Sequence, residues 1–229
     1  IRGGNISPLT ANSYIGGLVG HGYYISAKGL TNRGKVYGAG YDTSFTGGIF
    51  GECMFNDSTS ELNNYSPIYG PEINVIEYYD DPMAFIGGIA GVMAEQYDVK
   101  LTDVNNYADI TGATFTGEHL GINKMHIGGL AGSCYVTEVR NASNTGKILA
   151  TPVYNVIEEA YVGGLFGILS AAAVDCTNDG EVHLDFKRGT ISAGGFAGAV
   201  SSNYSSDIIS NCINNADICY NQNISDFTY

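Results

Sequence analysis

The pentapeptide Gly-Gly-apolar-X-Gly occurs six times and constrains the fold of this chain more than any other feature. Its first glycines lie 31, 40, 41, 35 and 31 residues apart. Self-similarity at such a period is typical of solenoids and repeat arrays. The leading glycine pairs of the six copies are Gly16 and Gly17, Gly47 and Gly48, Gly87 and Gly88, Gly128 and Gly129, Gly163 and Gly164, and Gly194 and Gly195.

A second motif, Asn-X-small-X-Ile/Val, alternates with the first. A degenerate copy opens the chain, with Arg2 in the Asn position and Ile6 at the end. The motif asparagines are Asn32, Asn64, Asn106, Asn144, Asn178 and Asn214. Two residues before them stand small or apolar residues, namely Leu30, Leu62, Val104, Ala142, Cys176 and Cys212.

Each repeat supplies three short extended segments. One holds the Asn motif, one runs into the Gly-Gly pair, and one leads to the next Asn. With 32 Gly, 17 Tyr and no Trp, the composition favours strands and turns over helices. We therefore predict an all-β fold, a parallel β-solenoid of six to seven coils with about three strands per coil, as one domain over residues 1–229.

Stacking of coils at about 4.8 Å explains the choice of residues. Glycine at a bend permits positive φ and close backbone approach. A repeated Asn at a corner can form an amide ladder along the stack. One predicted inward row contains Leu18, Ile49, Ile89, Leu130, Leu165 and Phe196.

The formal net charge of −13 limits the partners. Phosphate binding needs clusters of Lys and Arg, which the chain lacks, so we expect no nucleic acid partner and no anionic membrane surface. The apolar runs are too short for membrane insertion. The chain starts Ile-Arg-Gly-Gly, from which we expect a processed form or a fragment of a larger protein.

Long connections between the Ile/Val of one repeat and the next Gly-Gly occur in the middle repeats, at residues 69–86, 111–127 and 149–162. Insertions on a solenoid gather on one face, often the binding face. Tyrosine supplies contact area and a polar group for sugars or proteins. The candidate ligand-binding residues are Tyr69, Glu72, Tyr78, Tyr79, Asp80, Asp81, Tyr154 and Glu158.

The acidic pairs in these connections, Asp80 with Asp81 and Glu158 with Glu159, allow two other interpretations. Two carboxylates within about 10 Å can hydrolyse a glycosidic bond. The same oxygens suit Ca²⁺, whereas solvated loop charges are the simpler explanation. We predict no catalytic residues, no required cofactor and no transition-metal site, because no His has zinc-ligand spacing.

Five cysteines show no C-x-x-C spacing. Cys176 and Cys212 hold the same position in adjacent repeats, which permits either a disulfide or two buried thiols. Cys53 and Cys134 also share a position, but Met93 stands between them and places them too far apart to bond.

The chain resembles the GLUG-motif family, whose core is seen here as Gly17-Leu18-Val19-Gly20 and Gly164-Leu165-Phe166-Gly167. The closest copy of the full pattern runs from Cys176 through Val182 to Gly194–Gly198. Departures are Phe196 for Leu, Ser66 for Gly and Arg2 for Asn. The resemblance implies a bacterial, secreted or cell-surface, adhesin-like β-solenoid protein whose motif is structural.

Three functional hypotheses follow. The first is a non-enzymatic adhesin-type module that binds glycans or host or matrix proteins through the long connections. The second is a structural stalk that self-associates through uncapped solenoid ends. The third is a polysaccharide-active β-helix enzyme, a hypothesis that rests on fold analogy.

Overall fold

The described structure consists of stacked parallel strands joined by turns, and no helix is present among these residues. The computed structural model describes residues 12–40, 42–74, 81–116, 123–150, 159–186, 189–201 and 209–221. All pairings between its strands are parallel, and they join equivalent segments of successive repeats. The predicted fold class, a parallel β-solenoid, is confirmed.

Six coils follow one another in the part of the chain that the structure describes. The first three contain β1 (Ser13–Gly16), β2 (Val19–Ile25), β3 (Thr31–Asn32) and β4 (Val36–Tyr37); β5 (Thr43–Gly47), β6 (Phe50–Phe55), β7 (Thr59–Asn64), β8 (Ile68–Tyr69) and β9 (Glu72–Asn74); and β10 (Met83–Gly87), β11 (Ala90–Glu95), β12 (Lys100–Asn106), β13 (Ile110–Thr111) and β14 (Thr114–Thr116).

The last three coils repeat this order. They contain β15 (Lys124–Gly128), β16 (Ala131–Arg140), β17 (Ser143–Asn144) and β18 (Ile148–Ala150); β19 (Glu159–Gly163), β20 (Phe166–Val174), β21 (Thr177–Asn178) and β22 (Val182–Leu184); and β23 (Thr190–Gly194), β24 (Ala197–Val200), β25 (Ile209–Ser210), β26 (Ile213–Asn214) and β27 (Ile218–Tyr220).

Three long sheets result from the stacking. Sheet 1 has six strands that end at the first glycine of each pentapeptide, in the order β1-β5-β10-β15-β19-β23. Sheet 2 has thirteen strands, which lie between the pentapeptide and the motif Asn. Sheet 3 has six strands that begin at the motif Ile/Val, in the order β4-β8-β13-β18-β22-β27, and a small sheet pairs β9 with β14.

Two hydrophobic cores run along the stack. The first core consists of the corner residues after Gly-Gly and the inward side chains of sheet 2, among them Ile49, Phe50 and Leu62. The second core joins sheet 1 to sheet 3 through residues such as Ile86 and Ile110. The predicted inward row is confirmed for its four middle members, which are fully buried, whereas Leu18 is 48% exposed because it lies in the first coil.

The motif asparagines form the predicted amide ladder. Nδ2 of each Asn donates to Oδ1 of the equivalent Asn in the following coil, at 2.7–3.0 Å, in five successive steps from Asn32 to Asn214. The second N–H of each amide donates to the carbonyl two residues later, for example from Asn64 to Ser66. Ser66 and Ala108 accept this hydrogen bond through their backbone carbonyls, as the glycines of other copies do, so Ser is compatible with the turn at position 66.

The sequence analysis expected the Asn motif to lie within one extended segment. In the structure the motif instead spans two strands. Asn64 ends β7 in sheet 2 and Ile68 begins β8 in sheet 3, so the motif spans the corner between the two sheets. The bend falls on the small residue, where the amide of the Asn holds the backbone. The Asn ladder therefore runs along the corner between sheets 2 and 3 and not along the face of one sheet.

The sequence analysis expected the glycine pairs to provide both positive φ and close backbone approach. The structure shows the close approach, whereas the expectation of positive φ was wrong. No glycine of the six pairs has positive φ. A Cβ on the second glycine of a pair would meet both the next coil and the Asn of its own coil. At Gly88 it would lie 2.2 Å from the Gly129 carbonyl oxygen and 2.3 Å from Cγ of Asn106. The two sequence motifs thus meet in space.

Positive φ is found instead at the position three residues before each motif Asn. There the backbone turns within sheet 2, and mostly Asp or Asn, which tolerate the left-handed region, occupy it. The row consists of Gly29, Glu61, Asp103, Asn141, Asp175 and Asn211, with φ between 51° and 69°.

Asn106→Ala tests the ladder. The substitution removes both hydrogen bonds that the Asn106 side-chain amide donates, and it leaves Nδ2 of Asn64 without its buried acceptor. We therefore expect the free energy of unfolding to fall by about 2–4 kcal/mol. Urea denaturation followed by far-UV circular dichroism measures the change. Asn105→Ala, at the adjacent outward position, is the matched control; it removes two partly buried hydrogen bonds, to Asn63 and from Ser143, and should cost about 1 kcal/mol. Equal losses in both variants would contradict a stabilising ladder.

Gly88→Ala tests the contact between the motifs. The added methyl group would overlap backbone of the next coil and the ladder amide, neither of which can move alone, so we expect loss of cooperative folding or a fall in melting temperature of more than about 10 °C. Gly34→Ala is the control, because its nearest neighbour would be Oδ1 of Asn32 at 3.7 Å. A Gly88→Ala protein as stable as the wild type would contradict the packing argument.

Candidate ligand-binding surface

The predicted binding residues fall partly within the described structure. Tyr69, Glu72 and Asp81 are described, and the last two are exposed. The remaining candidates lie outside the described residues, so their part of the site stays a prediction. They are Tyr78, Tyr79, Asp80, Tyr154 and Glu158.

Tyr69 is one half of a stacked pair on the outer side of sheet 3. Its strand pairs in register with β4, which places Tyr69 beside Tyr37. The two ring centroids are 4.7 Å apart and the planes differ by 11°. Because the preceding Val36 and Ile68 are buried in the second core, the backbone fixes both rings toward the surface.

A second aromatic row lies on the corner after the motif Asn. Tyr65 and Tyr107 stack at 4.6 Å with an interplanar angle of 7°, and Cζ of Arg33 lies 4.9 Å from the Tyr65 centroid. The two tyrosines are 44% and 42% exposed. Partial burial and, to a lesser extent, the Tyr65 phenol raise the pKa of Tyr107 above its ordinary value.

Together these side chains define a surface that we call the tyrosine face, consisting of Arg33, Tyr37, Tyr65, Tyr69 and Tyr107. Within each tyrosine pair the rings stack along the coil direction, and the rings of Tyr65 and Tyr107 are partly open to solvent. Sequence analysis singled out only Tyr69. Alignment of the repeats on the motif Asn would have shown the others, because Arg33, Tyr65 and Tyr107 directly follow an Asn and Tyr37 and Tyr69 directly follow the Val/Ile.

The first long connection begins as part of the core. Glu72 lies in β9 opposite Thr114 of β14. The next residue of each strand, Ile73 in β9 and Phe115 in β14, is fully buried. The small sheet, which consists of segments from the first two long connections, thereby extends the second core. Glu72 points away from this core and stays exposed, next along the chain to the tyrosine face.

Other tyrosines lie on the outer side of sheet 2. Tyr23 and Tyr24 are in contact, with ring centroids 4.1 Å apart, and Tyr97 is 66% exposed. These residues share neither coil corner nor sheet with the tyrosine face. They provide control positions for the tests below.

The two acidic pairs are only half described, because Asp80 and Glu158 lie outside the described ranges whereas Asp81 and Glu159 lie within them. The separation of Asp80 and Glu158, on which the hydrolase hypothesis depends, involves the two residues outside these ranges. Among the residues that are described, no three His, Cys, Asp or Glu side chains are grouped to hold a metal ion. Nor do they contain a helix of the length and hydropathy that a membrane span requires.

Cys176 and Cys212 are adjacent and unbonded. Each Sγ donates to backbone carbonyls instead, that of Cys176 to Val174 at 3.3 Å and that of Cys212 to Ser210 at 3.3 Å. Burial raises the pKa of Cys176 to about 12, so the group is a thiol at neutral pH. In the structure, Cys176 and Cys212 are therefore two free thiols and not a disulfide.

One histidine is buried in an aromatic row on the outer side of sheet 1. His126 contacts Phe85 and Tyr161 edge-on, with centroids 4.8 and 5.1 Å away, and its Nδ1 lies 2.9 Å from Oγ of Ser133. Burial lowers the pKa of His126 to about 4, an effect that Glu159 opposes and Lys124 reinforces. Since Ser133 is fully buried, this pair is structural and offers no accessible nucleophile.

The fold places the chain among parallel β-solenoid proteins. Beyond that class, comparison with known proteins gives no identification: no protein-family model, no curated sequence and no solved structure matches the chain. The resemblance to the GLUG-motif family therefore rests on the repeated residues themselves and stays a prediction.

The buried imidazole predicts a specific loss of stability in acid. The pKa of His126 is about 4 in the folded state, below the ordinary value of 6.5, so the unfolded state binds the proton first as the pH falls. The contribution of the neutral His126 imidazole to the free energy of unfolding is therefore complete above pH 6.5. It is lost as the pH falls toward 4, and the loss amounts to roughly 3 kcal/mol at most. His126→Phe should flatten this part of the profile of unfolding free energy against pH.

Chemical denaturation between pH 4 and pH 7 measures this profile. Phe45→Leu, which changes the aromatic row on the outer side of sheet 1 but removes no titratable group, is the control and should keep the slope of the wild type. A slope between pH 4 and 6.5 that is the same in His126→Phe as in the wild type would contradict the prediction.

Proposed function

We propose that the chain is a non-enzymatic, secreted or cell-surface module of an adhesin-type protein, and that it binds a neutral glycan through the tyrosine face and the adjoining long connections. The observation that carries this proposal is the pair of in-register aromatic rows in coils 1 to 3, of which Tyr65 and Tyr107 are exposed and Tyr37 and Tyr69 partly exposed, although the solenoid does not need them for its cores. A host or matrix protein is the alternative ligand.

The geometry of the rows suits hydroxyl-rich ligands. Ring edges carry the positive part of the aromatic quadrupole and therefore attract oxygen atoms. Phenol hydroxyls donate and accept hydrogen bonds, and the Arg33 guanidinium and the Glu72 carboxylate add a donor and an acceptor nearby. Repeated sugar rings present hydroxyl groups along a line, which complements rows that follow the coil spacing.

Preorganisation supports the same proposal. The rings are held by parallel strands whose register is set by two buried cores, so little side-chain entropy remains to be lost on binding. The net charge of −13 opposes anionic ligands through long-range repulsion. We therefore favour neutral over acidic polysaccharides.

A glycan array with the purified chain tests the proposal, with and without Ca²⁺. Replacing Tyr65 and Tyr107 together by Ala should weaken binding on the order of tenfold to a hundredfold, because each stacked ring contributes roughly 1 kcal/mol. Tyr97→Ala, on another surface, is the matched control. A further variant lacking residues 75–80 keeps β9 and asks whether the first long connection takes part.

The outcomes separate the hypotheses. Binding that both the Tyr65/Tyr107 variant and the shortened variant lose would support one site formed by the face and the connection. Binding that is also lost in Tyr97→Ala would contradict the assignment of the face. No binding to any glycan by the wild type would contradict the glycan proposal and direct the same variants to a screen of host and matrix proteins.

A further inference from the structure

A depression of about 470 Å³ lies on the outer side of sheet 2 and includes residues of coils 3, 4 and 5. It follows from the alternation of side chains along the strands, because the neighbours of a buried strand residue point outward. Val99, Val139 and Ala173 are buried in the first core. The residues on either side of each of them therefore form the outer surface of sheet 2 in these three coils.

The length of these outward side chains falls sharply from coil 4 to coil 5. Lys100, Glu138 and Ala172 are in register in one row. In the next row, Arg140 is in register with Val174. The short side chains of Ala172 and Val174 form an apolar floor, and the long side chains of coils 3 and 4 form a charged wall beside it.

A carboxylate that joins coils 3 and 4 holds this wall in place. Oε2 of Glu95 accepts hydrogen bonds from the N–H groups of Val99, at 2.9 Å, and of Thr137, at 2.7 Å. Oε1 accepts a third, from the Thr137 hydroxyl at 2.9 Å. Thr137 lies at a bulge of β16, between Tyr135 and Glu138, and a bulge changes the direction of the side chains around it. Glu95 thus fixes the turn of coil 3 against the strand of coil 4.

The charged groups of the depression differ in whether they are paired. Nε of Arg140 donates to Oε1 of Glu138 at 3.0 Å, and its Nη1 donates to Oδ2 of Asp175 at 3.3 Å. Asp98 and Lys100 form no ion pair and no side-chain hydrogen bond with any residue that the structure describes. The depression therefore offers a ligand one carboxylate, one ammonium group and the remaining N–H groups of the guanidinium.

We propose that this depression binds a free peptide of about three residues with small apolar side chains. Asp98 binds the terminal ammonium group of the peptide. Lys100 and Arg140 bind its terminal carboxylate, as charge-assisted hydrogen bonds favour. The peptide side chains contact Ala172 and Val174. This site is separate from the tyrosine face, which lies on sheet 3 and on the corner between sheets 2 and 3.

The separation of the charges determines the length of the ligand. Thr102, which is in register with Arg140, lies four residues after Asp98. The two charged positions are therefore about 13 Å apart along the strand direction. An extended peptide spans about 3.3–3.6 Å per residue, so three residues reach across this distance with their terminal groups. A single amino acid is too short.

The balance of charge determines the class of the ligand. One unpaired carboxylate and one unpaired ammonium group suit a zwitterion, whereas the net charge of −13 repels anions. A neutral sugar carries neither of the charges that the site would neutralise. The interior of a long polypeptide has no terminal charges, so the site distinguishes a short free peptide from a protein surface.

Titration of the ¹⁵N-labelled chain with trialanine, followed by backbone amide chemical shifts, tests the proposal. We expect a dissociation constant on the order of 1 mM, with shifts concentrated at residues 98–100, 137–140 and 172–174. N-acetyl-trialanine lacks the ammonium group, trialanine amide lacks the carboxylate, and alanine lacks the length. Each of these three probes should bind at least about tenfold more weakly than trialanine.

Three variants separate the contacts. Asp98→Asn should remove the preference for trialanine over N-acetyl-trialanine, and Lys100→Gln should reduce the preference over trialanine amide. Ala172→Leu fills the floor without a change of charge and should abolish the shifts. Lys147→Gln, which removes an exposed ammonium group on sheet 3, is the matched control and should bind trialanine as the wild type does. The amide spectrum of each variant shows whether it is folded.

Four results would overturn the proposal. The first is a wild-type spectrum that does not change at about 10 mM trialanine, a concentration well above the expected dissociation constant. The second is a set of shifts that Ala172→Leu leaves unchanged. The third is equal affinity of the wild type for trialanine and both of its blocked forms. The fourth is a set of shifts centred on the tyrosine face, which would assign the peptide to that surface instead.

Discussion

The packing of the second pentapeptide glycine against the motif Asn is the contact on which the rest of the solenoid depends. It brings the corner between sheets 1 and 2 against the corner between sheets 2 and 3, so that each coil closes on itself. The side-chain amide of the Asn donates one hydrogen bond to the equivalent Asn of the next coil and one to a backbone carbonyl of its own turn. Closure of a coil and adhesion between coils thus use the same side chain.

Both cores follow from this closed path. Sheet 2 turns around the first core because the backbone adopts positive φ three residues before each Asn. Sheets 1 and 3 leave the two corners together and enclose the second core between them. The tyrosine face arises at the corner itself: the residues after Asn32, Asn64 and Asn106 must point outward, because the asparagines point inward. Surface chemistry can therefore vary at these positions without cost to the fold.

The repeat made the fold class and the amide ladder predictable, since six aligned copies place equal residues in equal positions. The Gly–Asn contact was not predictable, because the partners are 14 to 19 residues apart and meet only through the path of the coil. Nor was the row of positive φ, which Gly29, Glu61 and Asp103 occupy with different side chains. Tyr69 was found through its long connection, but its partner Tyr37 lies in a coil without one, where no insertion marks the position.

The ladder of buried amides also determines how the molecule responds to tension. The described solenoid has no disulfide between coils, so a coil is held to its neighbour by backbone pairing, by packed side-chain rows and by side-chain hydrogen bonds such as those of the Asn ladder. A force that separates one coil from its neighbour breaks one such set of contacts at a time, and each detached coil exposes an equivalent surface onto which it can fold back. Such a chain lengthens in steps and dissipates mechanical work.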